Sequence, residues 1–305
     1  MFRYVFIIFF LVLPIQISAQ LFQLSDHYDY DALLINPAFA GRNNALSMAI
    51  MYRNQWIGYE DAPKSLTISV HTPLNKDRIG LGLIVNSNNI GIFNETSIIG
   101  NYAFRRELTY GKLALGLGFG LNIFNTAWNE LQATDPDDEV LTNNSSSAVL
   151  PDFSIGVYYY TERFFMGVSL PLFLSHITDE NSGDVKIKND FSNYNYFLSA
   201  GCQINTTSAT KLMPSILVKY HPDHPIQIDY SAKFIIKNRI GIGLGYRSKA
   251  ILVGSLHCQI NDQFRIIYSY DYSVGSSAVY KKGSHEINLE YVFSYKRRVI
   301  SPRQF

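Results

Sequence analysis

Along much of this chain, large apolar residues fall on every second position. In 112–124 the odd positions carry Leu113, Leu115, Leu117, Phe119, Leu121 and Ile123, and the even ones Ala114, Gly116, Gly118, Gly120 and Asn122. A period of two puts these sets on opposite faces of one strand, one bulky and one nearly bare. A soluble sheet would need a covering layer over the bulky face. A membrane barrel turns that face to lipid and keeps the small or polar face inside. The same two-face pattern recurs at 46–53, 66–71, 78–86 and 97–105 before this stretch. It recurs after it at 152–160, 164–173, 194–204, 212–220, 226–236, 239–247, 251–260, 264–272 and 286–295. The pattern predicts an all-β, antiparallel outer-membrane β-barrel of about 14 strands, an even number of the kind bacterial barrels use.

The spacing between these strands tests the prediction independently. Gaps after odd strands include the long ones, 54–64, 86–95, 125–150, 174–193 and 273–285, with two short exceptions at 221–225 and 248–250. Gaps after even strands are all short. Outer-membrane barrels pair short periplasmic turns with longer external loops, so the parity predicts long loops outside and both termini in the periplasm. The inward faces would then carry Arg53, Arg78, Arg105, Lys219, Lys233, Arg239, Arg247 and Arg265, with Asp229, Asp271 and Glu290 as partners. Either an ion-selective pore or a salt-bridged filling could use such charges.

Composition agrees with this picture. Of 305 residues 17% are charged, below the quarter usual in soluble domains, while the chain has 21 Tyr and 20 Phe. A net charge of +1 gives no bulk attraction to nucleic acid. Two cysteines, Cys202 and Cys258, are too few for a disulfide framework. At the start, Arg3, the apolar run 5–14 and Ile17-Ser18-Ala19 form an export signal over 1–19. Residues 20–43 lack alternation and contain D-H-Y-D-Y-D followed by N-P-A-F-A-G. They read as an N-terminal periplasmic lead-in or plug segment, with the turn-rich lead-in the simpler option. The barrel itself would span 44–305.

Chemical motifs add little. The acidic run 135–139 lacks EF-hand spacing, and His221 with His224 has no third ligand nearby in sequence. No G-x-S-x-G occurs, and spacing assembles no Ser/His/Asp set, so neither an enzyme nor a metal or cofactor is expected.

Several segments are similar to the PorP/SprF family of Bacteroidota outer-membrane proteins. They are N-P-A-F-A-G (36–41), Y-R-N-Q-W-I-G (52–58) with Ala62-Pro63, N-Y-A-F (101–104), L-P-D-F-S-I-G-V-Y-Y (150–159), Y-S-Y-D (268–271), G-S-H-E-I (283–287) and S-P-R-Q-F (301–305). Asn36, Pro37, Gly41, Pro63, His285 and Glu286 are the positions that carry the motif. Gln304 departs from it, standing where an aromatic is common. The resemblance implies an outer-membrane adapter of the type IX secretion and gliding machinery, embedded in outer-membrane lipid. Its implied partners are a large secreted adhesin or other type IX substrate, and other components of the system. A passive channel or small-solute transporter is the alternative. For partner contact the sequence offers the loop after the first strand, where Gln55, Trp56, Glu60 and Asp61 combine an aromatic anchor with an acid pair. Trp56 could equally belong to the aromatic girdle at the membrane interface.

Overall fold

The computed structural model describes residues 25–43, 45–74, 78–127, 146–171, 175–178, 185–188, 194–248, 250–274 and 283–293. Its elements in chain order are two 3-10 turns, Ala32–Leu34 and Pro37–Phe39, followed by strands. These are β1 (Leu46–Asn54), β2 (Lys64–Leu74), β3 (Ile79–Ile90), β4 (Phe93–Leu108), β5 (Gly111–Thr126), β6 (Ser146–Tyr160), β7 (Phe164–Leu170), β8 (Ser175–Thr178), β9 (Val185–Lys188), β10 (Tyr196–Cys202), β11 (Ile204–Asn205), β12 (Thr210–His221), β13 (His224–Ile236), β14 (Ile240–Arg247), β15 (Ile251–Gln259), β16 (Phe264–Ser273) and β17 (Ser284–Phe293).

The strands close into a ring of fourteen: β1 to β7, β10, and β12 to β17, each antiparallel to its neighbours. β1 meets β17 with Arg53 opposite Glu286, and β10 meets β12 with Ser199 opposite Leu217. β11 continues β10 along β12, while β8 and β9 form a separate hairpin within the long connection 171–195. The predicted gap 86–95 is almost wholly strand, because β3 runs to Ile90 and β4 begins at Phe93. There the lumen face carries Asn86, Asn88 and Glu95, so the polar residues that look like a loop in sequence are one inward face of a hairpin. The other long gaps join strand ends on the same rim, with the short connections after β2, β4, β6, β11, β13 and β15 on the opposite one. Arg78 and Arg239 belong to those turns and are exposed, so they leave the inward set. Their positions at strand ends put them beyond the ladder that fixes which way a side chain points.

The outer wall is apolar throughout. Leu115, Leu117, Phe119, Ile242 and Leu244 are at least half exposed, as are many residues in the same phase on other strands. Only lipid can cover such a surface on a protein this polar inside. The hydrophobic core is inside the ring instead. It joins Tyr28, Ala32, Leu33, Ile35, Ala38, Phe39 and Ala40 to Ile84, Ala103, Ala114, Tyr158, Phe197 and Leu217 of the wall. Residues 25–43 therefore lie inside the ring, packed against its wall, and are called the plug below.

Candidate functional site: a plugged lumen

The plug has two parts that grip opposite sides of the ring. The first, Ser25–Asp31, carries the acids. Asp26 lies 2.6 Å from Arg53 of β1 and 2.7 Å from Arg247 of β14. Asp29 lies 2.8 Å from Lys233 of β13, whose ammonium stands 3.4 Å from the centroid of the Tyr30 ring. Glu286 of β17 receives the Asp26 backbone N–H at 2.8 Å, the Ser25 hydroxyl, and Arg53 at 3.0 Å. The wall completes the set: Arg53 also pairs with Asp271, Lys219 with Asp229 at 2.8 Å, Arg247 with Asp229 at 3.3 Å, and Arg265 with Glu290 at 2.7 Å. Alternate positions on β12 to β17 and β1 had to point inward for these pairs to form, and the register fixes that.

Such groups cost several kcal/mol each to remove from water and are tolerated only when paired. The D-H-Y-D-Y-D run is spaced to supply two of the carboxylates. His27, fully buried, sits 3.3 Å from Glu286.

The second part uses shape. Asp31 caps the first 3-10 turn by accepting the Leu33 N–H at 3.1 Å. Asn36 caps the next, accepting the Ala38 N–H at 3.0 Å, and Pro37 follows at the position where its fixed φ and missing N–H cost nothing. The Asn36 amide then donates to the wall carbonyls of Val157 and Val168, at 3.1 and 3.3 Å. Three bare positions of the wall, on β5, β3 and β6, explain themselves here. A Cβ on Gly116 would lie 2.1 Å from the Ala38 nitrogen, one on Gly80 1.9 Å from the Ala40 oxygen, and one on Gly156 2.0 Å from the Asn36 side-chain oxygen. Wall and plug backbones touch at Gly116 and Gly80, and at Gly156 the wall backbone meets the Asn36 side chain.

Beyond this contact the Ser169 hydroxyl donates to the Ile35 carbonyl and Arg105 to that of Ala40. Gly41, at φ +70°, donates its N–H to His71 at 3.1 Å as the chain turns toward β1. Phe39 meets His71 and Tyr158 edge-on, and Arg42 lies 5.0 to 5.7 Å from the rings of Phe39, Tyr158 and Tyr160.

The remaining sequence candidates lie near the long-connection rim. Gln55 is buried, its N–H bonded to the carbonyl of buried Pro63 at 2.9 Å, which closes the loop 55–63. Trp56 is half-buried with φ +48°, while Glu60 and Asp61 are exposed. Asp61 accepts the N–H of Gly91 at 3.1 Å and ties the loop to the neighbouring hairpin. His285 faces outward among Tyr268 and Tyr270. The His221 and His224 rings lie 4.8 Å apart across one hairpin, tilted by 52°, and Cys202 and Cys258 are free thiols. The acidic run 135–139 and the segment 301–305 lie outside the described residues. Among the described residues no three metal-ligating side chains converge.

Of the residues that hold the plug, Glu286, Asn36, Pro37 and Gly41 were visible as motif positions. Asp26, Asp29 and the wall glycines were not, although the acid spacing and the bare strand face were the signals that could have found them.

Comparison with solved structures gives the same architecture. The chain is similar to the CymD monoaromatic hydrocarbon channel, at 10% identity over 90% of this chain and 94% of that one, with a TM-score of 0.50. It is also similar to the outer membrane protein Omp33 of Acinetobacter baumannii, at 6% identity over 82% and 99%, with a TM-score of 0.47. Among curated proteins nothing matches. At such identities the likeness concerns the fold alone, a closed antiparallel β-barrel. The sequence profile of the family described as type IX secretion system membrane protein PorP/SprF matches residues 17–291. With most of its length so matched, the chain belongs to the PorP/SprF family of type IX secretion system membrane proteins.

Proposed function

We propose that this protein is a closed outer-membrane adapter of the type IX secretion and gliding machinery. It holds or hands on a large secreted surface protein, such as an adhesin, and does not conduct solutes. One observation carries the reading: residues 25–43 cross the lumen and are bonded to the wall on both sides. A passive channel has no use for a core built across its own pore. With the pore committed to the plug and the outer wall to lipid, a partner is left with the rims.

The long-connection rim faces the cell exterior in this reading, and Phe293 at the end of β17 belongs to the periplasmic side. Trp56, Glu60 and Asp61 offer the partner an aromatic group beside an acid pair, on a loop pinned by Gln55, Pro63 and Gly91. No catalytic role is assigned.

Two measurements test this. A tag inserted at Glu60 should bind antibody on intact cells and one at Ser208 only after the outer membrane is breached; the reverse pattern overturns the orientation. Trp56→Ala should leave the barrel at its normal level while display of the secreted partner falls. A lowered barrel level would place Trp56 in the aromatic girdle instead.

A further inference from the structure

Above the plug, on the side of the long connections, the lumen keeps a cavity of about 400 Å3. Its geometry follows from the register. Thr67, Asn86, Ser97 and Asn122 lie opposite one another in one row across β2 to β5, and Ser65, Asn88 and Glu95 form the next row toward the rim. Below them Leu34 of the plug, with Ile84, Ile99 and Phe197 of the wall, makes an apolar floor.

The polar rows are short of donors at two points. Asn122 is 3% exposed, and its amide donates to Asp152 at 3.5 Å, which fixes which way round the group points. Its oxygen then has no partner among the described residues. Glu95, half-buried in the adjoining row, is hydrogen-bonded by Asn88 but has no cationic partner among the described residues. Arg53 also borders the cavity, but its guanidinium is shared among Asp26, Asp271 and Glu286. The local field therefore stays negative.

An apolar occupant would leave the Asn122 oxygen unpaired and the Glu95 carboxylate without a countercharge, and an anion would meet that carboxylate. A cation bearing N–H groups supplies what is missing through charge-assisted bonds, and an alkyl portion would cover the floor.

We propose that this cavity is a binding site for an alkylammonium or alkylguanidinium group, presented as a free amine or as a basic side chain beside an apolar one in a polypeptide. The site does not depend on the adapter role and would exist equally in a channel.

The test uses the full chain purified in detergent and calorimetric titration with Nα-acetyl-leucyl-lysine amide. The same peptide with norleucine for lysine is the neutral control, and butylamine is the small-amine probe. The lysine peptide should bind about tenfold more tightly than the norleucine peptide. Glu95→Gln should abolish that difference, Asn122→Ala should weaken the lysine peptide, and Glu107→Gln, whose exposed carboxylate pairs with Lys112 at the other rim, should change nothing. Heat-modifiable gel migration confirms that each variant is a folded barrel. Butylamine binding as tightly as the peptide would assign the site to small amines, and peptide binding alone would assign it to a polypeptide. Equal binding of the lysine and norleucine peptides, an unchanged preference in folded Glu95→Gln, or no binding by any probe overturns the proposal.

Discussion

The two sides of the lumen hold the same plug by different physics. On β12 to β17 and β1 the contact is electrostatic: Arg53, Arg247 and Lys233 meet Asp26 and Asp29, with Glu286 receiving the backbone of Asp26. On β3 to β7 it is steric and main-chain: Gly80 and Gly116 let the plug backbone touch the wall, Gly156 makes room for the Asn36 side chain, and Asn36 bonds two wall carbonyls. A charged contact tolerates small displacements but fails badly when one partner is lost, since the other is left buried and unpaired. A backbone contact has no such liability, yet it cannot accept one added carbon. The first specifies which chain segment enters the lumen, and the second fixes where it stops.

Each side can be broken separately. Arg53→Met should have the largest effect, because it strands Asp26, Asp271 and Glu286 without their shared guanidinium. A loss of about 3–5 kcal/mol is expected from urea unfolding in micelles. A cysteine at His27 should become reactive to a soluble maleimide, while one at Ala38 stays protected. If both react together, the two sides are one cooperative unit and the distinction fails.

Next in size is a change on the outer face. Leu117→Arg puts a charge on a residue 60% exposed toward lipid and should cost about 2–4 kcal/mol, read as a reduced inserted fraction. It should leave plug protection in the inserted fraction untouched.

Gly116→Ala, one residue away on the opposite face, should do the reverse. Its Cβ would be 2.1 Å from the Ala38 backbone, so the plug must shift; about 1–3 kcal/mol is lost and a cysteine at Ala38, not one at His27, becomes reactive. Gly118→Ala should have the smallest effect. Its added carbon meets the Ser154 hydroxyl at 2.0 Å and the Asn101 side-chain oxygen at 2.8 Å, both at ends of side chains that can turn away. Equal losses at Gly116 and Gly118 would show that crowding within the wall, not contact with the plug, sets the glycine face.

How far these features could be read in the sequence follows from how local they are. Strand phase is local: Leu117 and Gly118 face opposite ways because they are neighbours in a ladder, and the period of two said so. The barrel was therefore legible, down to the parity of its connections. Strand phase misled where there was no ladder to act on, at Arg78 and Arg239, and where both faces of a hairpin looked polar, at 86–95. Plug contacts are not local. Asp26 meets Arg53 and Arg247 across 27 and 221 positions of sequence, and Gly116 is bare on account of Ala38. No periodicity reports a contact between a strand and an irregular segment. Only the family motif marked Asn36, Pro37, Gly41 and Glu286, without saying that they all meet inside the ring.

The central claim is that the lumen is closed by residues 25–43, and planar-bilayer conductance tests it most directly. The native protein should insert silently, and the Arg53→Met/Gly116→Ala double variant, loosened on both sides, should open in discrete steps. Steady large currents from the native protein would contradict the account and return the channel reading to first place.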